Sequence, residues 1–273
     1  MSSQPEKAYK DLEFLNSPDA RTVRLLSEYL HPQRRLRREG IKDTVVFFGS
    51  ARLKSNEDAQ EEKRLVLDAI QKSGAAATPK VLLDQLRKAE TMVEMSRYYE
   101  EAVELARLLS EWSLSLTTHR FVVCSGGGPG IMEAANRGAH LAGAKSIGLN
   151  ISLPFEQFAN PYIPPELNFE FHYFFMRKFW FVYPAKALII FPGGFGTLDE
   201  LMEVLTLIQT EKLRKDIFVV LYGKEFWNQI ISFEQLAKHG VISQQDLKLF
   251  KTCNTPKEAF NYLKRKLTDR YLK

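Results

Sequence analysis

The sequence reads Ala187-Leu188-Ile189-Ile190-Phe191-Pro192-Gly193-Gly194-Phe195-Gly196-Thr197-Leu198-Asp199-Glu200 at the point that decides its fold. The apolar, partly β-branched beginning predicts a short buried strand. A glycine-rich turn follows, and Leu201–Ile208 then has apolar positions that suit a helix packed on a sheet. Glycine lets backbone N–H groups approach a ligand, and a helix N-terminus adds unpaired N–H groups and a positive dipole end. The order strand, glycine turn, helix therefore predicts an anion site, most often for phosphate.

The spacing of Thr197 and Glu200 leaves a second interpretation open. Thr-x-x-Glu is the capping-box pattern, which only stabilises the start of a helix. On the first interpretation, Glu200 lies one turn into the helix and faces whatever the phosphate carries. The sequence alone is compatible with both.

Two further turns follow predicted core strands. Gly49 and Ser50 come directly after the strand Thr44–Phe48, and with Arg52 they suit an anion or a ribose hydroxyl, although an ordinary strand-to-loop turn has the same composition. The strand Phe121–Cys124 precedes a second glycine turn, which is Ser125-Gly126-Gly127-Gly128-Pro129-Gly130-Ile131-Met132-Glu133. This turn opens a helix that we expect to end near residue 141.

The second glycine turn departs from the dinucleotide-binding fingerprint. Ile131 occupies the third glycine position, and the next strand, Lys145–Asn150, ends without the acidic residue that binds ribose in NAD proteins. A mononucleotide or a smaller phosphate therefore fits better than NAD. The P-loop pattern GxxxxGK[ST] is absent from the sequence, which argues against a P-loop NTPase.

Strands that alternate with helices predict an α/β fold with a doubly wound parallel sheet and helices on both faces. Ligands of such sheets bind at the carboxyl ends of the strands, so we expect the three loops to converge on one site. We divide the chain into an N-terminal helical extension, 1–40, and a single domain, 41–273, with a helical insertion at about 54–95. We expect His31-Pro32 to end the helix of the extension and Ser243–Phe250 to be helical.

Composition sets limits on the class of protein. The net charge of +5 is mild, and the cluster Arg34-Arg35-Leu36-Arg37-Arg38 comes without an aromatic platform, so we expect no nucleic-acid partner. No window approaches the roughly 18 apolar residues of a membrane span, and no secretory signal is visible. Two widely separated cysteines and no Cys/His cluster predict a cytoplasmic protein without a metal.

A third segment, Phe175-Met176-Arg177-Lys178-Phe179-Trp180, places two cations among aromatic residues. Such cations need acidic partners or an anionic ligand, unless they merely extend from a helix start into solvent. Nearby, His172 is a possible general acid, although an imidazole satisfied within the fold is favoured. Cys124 is interpreted as a buried structural residue rather than a nucleophile.

Three segments together resemble a known family. They are 125–135, Met176-Arg177-Lys178 and 192–200, and in this order they resemble the LONELY GUY (LOG) family of cytokinin riboside 5'-monophosphate phosphoribohydrolases, in its longer bacterial branch. Many members carry an old "lysine decarboxylase" label. The resemblance implies a Rossmann-like fold, a homodimer, and hydrolysis of the N-glycosidic bond of a nucleoside 5'-monophosphate such as AMP or a cytokinin riboside monophosphate. We expect no cofactor.

The resemblance assigns the catalytic roles to Arg177 and Glu200. Breaking the glycosidic bond leaves positive charge on the ribose, which the carboxylate of Glu200 can stabilise. Arg177 stays protonated, so it binds phosphate or ribose, orients Glu200 or stabilises the departing base. Together with the turns described above, the predicted substrate- and phosphate-binding residues are Gly49, Ser50, Gly127, Gly128, Met176, Lys178, Gly193, Gly194, Gly196 and Thr197.

Two other functions compete with hydrolysis. A lysine decarboxylase that uses pyridoxal phosphate needs a Schiff-base lysine, for which Lys178 or Lys186 could be proposed, and a partner for the pyridine nitrogen. A non-catalytic nucleotide or cofactor carrier could use the same fold. The simultaneous presence of Arg177 and Glu200 argues against a carrier.

Overall fold

The computed structural model describes residues 5–73, 79–117, 120–153 and 158–273. Within these ranges, seven strands form one sheet in which every neighbouring pair is parallel, with the order β4-β3-β2-β1-β5-β6-β7. The strands are β1 (Asp43–Phe48), β2 (Phe121–Ser125), β3 (Ile147–Ile151), β4 (Asn168–Phe171), β5 (Ala185–Ile190), β6 (Phe218–Tyr222) and β7 (Phe250–Cys253). The predicted doubly wound parallel sheet is confirmed.

Helices cover both faces of the sheet. They are α1 (Leu12–Asn16), α2 (Arg21–Arg38), α3 (Asn56–Ser73), α4 (Lys80–Met95), α5 (Arg97–Ser115), α6 (Ile131–Leu141), α7 (Phe174–Val182), α8 (Phe195–Gln209), α9 (Lys224–Ile230), α10 (Phe233–Lys238) and α11 (Pro256–Leu267). One apolar core lies between the sheet and α5, α6 and α11, and a second lies between the sheet and α2, α7, α8 and α9. Among the described residues, no helix is both long and apolar enough to cross a bilayer.

The strand order reverses between β1 and β5, and the three predicted loops meet at this point. The backbone N–H of Ser50 donates to the carbonyl of Pro192 (3.0 Å), and the N–H of Ile131 donates to the carbonyl of Ser50 (3.1 Å). The loops after β1, β2 and β5 are therefore joined directly by backbone hydrogen bonds. Their predicted convergence at the carboxyl edge of the sheet is confirmed.

The predicted end of the first long helix at His31-Pro32 is wrong, because α2 continues through Pro32 to Arg38. Proline has no N–H, so the carbonyl of Glu28 loses its usual donor four residues later. The indole Nε1 of Trp180 donates to that carbonyl instead (3.0 Å). Burial of Leu36 against the sheet also favours the longer helix.

The predicted helix at Ser243–Phe250 is also wrong. Only Asp246–Lys248 forms a short 3₁₀ turn, and Phe250 begins the edge strand β7, which pairs with β6. The ring of Phe250 packs against Phe233, with 4.7 Å between their centroids, and Cys253 is buried. These contacts hold the segment in an extended conformation, which its short sequence does not predict.

The segment predicted as an insertion, 54–95, contains α3 and α4, while its residues 74–78 lie outside the described ranges. The two helices pack mainly on each other, with Ala59 and Ala89 as their buried residues. Their connection to the rest of the protein includes the backbone N–H of Asn56, which donates to the carboxylate of Glu100 on α5 (3.0 Å).

Candidate active site

The turn after β5, residues 192–197, is called the open loop here, and it leads into α8. Gly194 is the N-cap of α8 and provides no side chain to cap it. Thr197 is thus the third residue of the helix and Glu200 the sixth, so neither stands at its capping-box position. The capping-box interpretation is wrong, and the first N–H groups of α8 are left for another acceptor.

The glycines of the open loop have two different surroundings. A Cβ on Gly193 would overlap the side chain of Thr197, so packing explains this glycine. A Cβ on Gly194 or Gly196 would meet nothing within 4 Å. Phe195, between them, is 93% exposed. The space in front of the N-terminus of α8 is therefore free to receive a ligand.

Glu200, one turn further along α8, is only 7% exposed. Burial raises the pKa of its carboxyl group to about 7, and the nearby cations of Lys178 and Arg177 oppose this rise. Its Oε2 atom is buried and has no hydrogen-bond partner among the described residues. Since a buried polar atom without a partner is costly, this oxygen is suited to interact with a bound ligand.

Arg177 lies on α7 and is held by one carbonyl from β3 and one from the turn after β2. Its Nε donates to the carbonyl of Leu149 on β3 (2.7 Å), and its Nη2 donates to the carbonyl of Gly126 after β2 (3.3 Å). A Cβ on Gly126 would lie 2.6 Å from Nη2, so this glycine makes room for the guanidinium. Burial lowers the pKa of Arg177, and the charge of Glu200 opposes that shift. The group remains a cation at working pH.

The neighbours of Arg177 in the Met-Arg-Lys triplet have different surroundings. Lys178 forms ion pairs with Asp199 (2.6 Å) and Glu203 (3.0 Å), and these raise the pKa of its ammonium against the opposing effect of burial. Lys178 therefore links α7 to α8 beside Glu200. Met176 is partly buried and packs against the second core.

The second glycine turn, residues 125–130, is called the closed loop here because internal hydrogen bonds hold its glycines. Gly127 has φ +77°, and a Cβ on it would overlap the amide of Asn150. The side-chain amide of Asn160 donates to the carbonyls of Gly127 (3.0 Å) and Gly128 (3.1 Å). The N–H of Gly127 donates to the hydroxyl of Ser125 (3.1 Å).

Sequence analysis missed the buried asparagines that support the closed loop. Asn160 also donates to Asn136 (2.9 Å), which accepts from Ser125 (2.6 Å) and donates to Ser146 (2.9 Å). The one signal available was Asn136 itself, a polar residue in the small-residue run of α6, since buried amides require partners. These side chains fix the closed loop through hydrogen bonds.

The loop after β1 joins the other loops. A Cβ on Gly49 would lie 2.7 Å from the side chain of Ile131, so close packing against α6 requires this glycine. The hydroxyl of Ser50 accepts from the N–H of Arg52 (3.1 Å). Both residues lie at the predicted carboxyl edge.

The two remaining candidates have simple surroundings. Cys124 is 1% exposed, and burial raises the pKa of its thiol, which fits a structural residue. His172 is exposed and its ring packs edge-on against Tyr173, with 4.6 Å between centroids. In the described part of the chain, no group of three His, Cys, Asp or Glu residues is arranged to hold a metal ion.

A family model described as "Possible lysine decarboxylase" matches residues 132–263. The cytokinin riboside 5'-monophosphate phosphoribohydrolase LOG7 of Arabidopsis thaliana is 27% identical over 61% of this chain and 73% of its own length. The corresponding LOG protein of Oryza sativa subsp. japonica is 29% identical over 59% of this chain and 64% of its own length.

Two solved structures resemble this chain in outline. The X-ray structure of TM1055 has 18% identity and a TM-score of 0.47, over 82% of this chain and 99% of that chain. The Moco carrier protein of Chlamydomonas reinhardtii has 16% identity and a TM-score of 0.46, over 84% of this chain and 99% of that chain. With such scores neither likeness carries an argument. The sequence relatives and the family model bear out the resemblance predicted from the three motifs: the chain is similar to the LOG proteins of the two plants over 61% and 59% of its length, and to the family model over residues 132–263.

Proposed function

We propose that this protein hydrolyses the N-glycosidic bond of a nucleoside 5'-monophosphate and releases a free base and ribose 5-phosphate. The observation that carries the proposal is the buried, unpartnered Oε2 of Glu200, which lies near the Arg177 cation and behind an open helix N-terminus. The names of the sequence relatives support the same reaction. AMP and a cytokinin riboside monophosphate are the proposed substrates, and a homodimer is the proposed assembly.

In the proposed mechanism, the open loop and the first N–H groups of α8 bind the 5'-phosphate. Gly193, Gly194, Gly196 and Thr197 form this part of the site, where the helix dipole favours an anion. Departure of the base develops positive charge on the ribose. The ionised carboxylate of Glu200 stabilises that charge and orients or deprotonates the attacking water.

Arg177 has a different part in this mechanism. It binds the phosphate or ribose, or stabilises negative charge on the departing base, because its guanidinium cannot serve as an acid at working pH. Its bonds to the carbonyls of Leu149 and Gly126 hold the group in place before substrate binds. A preorganised cation of this kind stabilises charge without having to reorganise during the reaction.

The competing decarboxylase is disfavoured by the surroundings of both candidate lysines. Lys178 is paired with Asp199 and Glu203, and Lys186 is paired with Asp43 (3.1 Å). A Schiff-base lysine must give up its proton to attack a carbonyl, and adjacent carboxylates favour its charged form. Purified protein with bound pyridoxal phosphate would be yellow, which gives a direct check.

The first experiment measures release of free base from nucleoside monophosphates by chromatography, beginning with AMP and isopentenyl-AMP. The corresponding nucleosides, which lack the phosphate, are the matched controls. We expect base release from the monophosphates alone, because the open loop is proposed to bind the phosphate. Tight nucleotide binding without release across the panel would overturn hydrolysis in favour of a carrier.

A further inference from the structure

Helix α2, in the N-terminal segment, contacts the beginning of the helix that carries Arg177. The carboxylate of Glu28 accepts hydrogen bonds from the backbone N–H groups of His172 (2.7 Å) and Tyr173 (3.3 Å). Tyr173 is the N-cap of α7, so Glu28 places a negative charge at the positive end of this helix. Charge-assisted bonds of this kind are stronger than bonds between neutral groups.

Glu28 also holds the other end of α7, through its main chain. Because Pro32 has no N–H, the carbonyl of Glu28 is free to accept from the indole Nε1 of Trp180 (3.0 Å). The adjacent Tyr29 packs its ring against Phe179 and Trp180, with centroid distances of 5.6 and 5.9 Å. One residue of α2 thus contacts α7 before its first turn and again near its end.

Arg177 lies between these two contacts. Its guanidinium reaches the carbonyls of Leu149 and Gly126 only while α7 keeps its distance from the ends of β2 and β3. A displacement of about 1 Å in a catalytic group can cost about a hundredfold in rate. The position of α7 therefore matters to the reaction although Glu28 lies outside the site.

We propose that Glu28 is a positioning residue, which fixes α7 through both of its ends and thereby places the Arg177 guanidinium for the reaction. This inference rests on the proposed function. It also gives the N-terminal segment a task in catalysis, since α2 provides contacts that the strands and loops around the site do not.

The test compares Glu28→Gln and Glu28→Ala with Glu13→Gln, a matched change of an exposed glutamate on α1. Glutamine keeps one acceptor and alanine keeps none, so we expect kcat/KM to fall about tenfold in Glu28→Gln and further in Glu28→Ala. Glu13→Gln should match the parent. Amide hydrogen exchange in residues 172–182 should accelerate in both Glu28 variants, and if Glu28→Ala fails to fold, Glu28→Gln still gives the answer.

A double-mutant cycle separates positioning from a structural role. In an Arg177→Ala background, Glu28→Gln should change kcat/KM less than twofold, because the group that it positions is gone. The inference is overturned if Glu28→Gln has the kcat/KM of the parent, or if it costs the same tenfold with and without Arg177. If the parent protein releases no base, the proposed function is overturned instead. The same cycle is then measured through AMP affinity. The positioning role is overturned if Glu28→Gln changes that affinity equally with and without Arg177.

Discussion

The closed loop and the open loop look alike in sequence and differ in what surrounds them. In the closed loop, the side-chain amide of Asn160 donates hydrogen bonds to the carbonyls of Gly127 and Gly128. A Cβ on Gly127 would overlap the side chain of Asn150. In the open loop, Gly194 and Gly196 have nothing within 4 Å of a Cβ position. The two loops are therefore distinguished by the atoms that surround the Cβ position of each glycine, and not by the number of glycines.

From this difference we propose separate tasks for the two turns, which lie on neighbouring parts of one sheet edge. The closed loop provides the carbonyl of Gly126, which holds Arg177. The open loop provides the N-terminus of α8 and leads to Glu200. Changes in the first should act mainly on stability, and changes in the second mainly on substrate binding and turnover.

The largest expected effect is that of Glu200→Gln, behind the open loop. Loss of the carboxylate charge should lower kcat about a hundredfold to a thousandfold, because a preorganised charge opposite the developing oxocarbenium ion is removed. Nucleotide binding should persist, since the open loop is unchanged. Base release and AMP affinity, measured in parallel, check this outcome, and parental turnover would contradict the role of Glu200.

The same variant tests the pH dependence that burial imposes. The pKa of Glu200 is raised from 4.5 to about 7, so the folded protein holds a proton there that the unfolded chain has lost. Its contribution to the free energy of unfolding therefore falls as pH rises from about 4.5 to about 7. Parental kcat/KM, which reports the ionisation of the free enzyme, should rise toward pH 7 as the carboxylate ionises, and Glu200→Gln should show neither trend.

A matched pair of glycine variants tests the comparison itself. Gly127→Ala should lower the free energy of unfolding by about 2–4 kcal/mol, because φ is positive and the new Cβ overlaps Asn150. Gly196→Ala should be neutral or stabilise by up to about 1 kcal/mol, because alanine favours a helix. Its Cβ tilts toward the helix N-terminus, so AMP should bind about tenfold more weakly.

Denaturant unfolding and AMP titration of both glycine variants give the result. Equal losses of stability in Gly127→Ala and Gly196→Ala would remove the distinction between the two loops. An unchanged AMP affinity in Gly196→Ala would remove the proposed phosphate site from the open loop.

The smallest expected effect concerns Lys178, which was predicted to bind substrate and which the structure pairs with Asp199 and Glu203. Its ammonium lowers the pKa of Glu200, whereas Glu203 and Asp199 raise it. Lys178→Met should therefore move the acid limb of the kcat/KM profile to higher pH, with KM changed less than threefold. If KM instead rises tenfold or more with an unmoved acid limb, Lys178 binds the phosphate.

Much of the fold could be predicted because β1, β2 and β5 are apolar runs that end in glycine turns. The exceptions depend on contacts made by distant residues. The indole of Trp180 replaces the hydrogen-bond donor that Pro32 lacks, so α2 continues past the proline. No local pattern in the sequence of α2 predicts this distant donor. The edge strand β7 is short and carries Lys251 and Thr252 at its centre, so it lacks the apolar run that predicts a strand.

The sequence named a catalytic pair but not the groups that support it. The family resemblance assigned the catalytic roles to Arg177 and Glu200, and that assignment stays a prediction. The asparagines around the closed loop come from α6 and from the segment before β4, so their meeting depends on the completed fold. The capping-box question depended on where α8 begins, which the Pro-Gly-Gly-x-Gly-Thr run does not specify to within one turn.

The central place of β1 has a consequence for biosynthesis. Thr44 on β1 pairs with Ala185 on β5, 141 positions later in the chain. Since ribosomes add roughly 5–20 residues per second, one edge of β1 stays unpaired for roughly 7–28 s until β5 has been synthesised. All residues of β1 are buried in the finished protein, and Val45-Val46-Phe47-Phe48 is strongly β-forming. A nascent chain that stalls before β5 therefore leaves one edge of an apolar strand unpaired, and such an edge can pair with other chains.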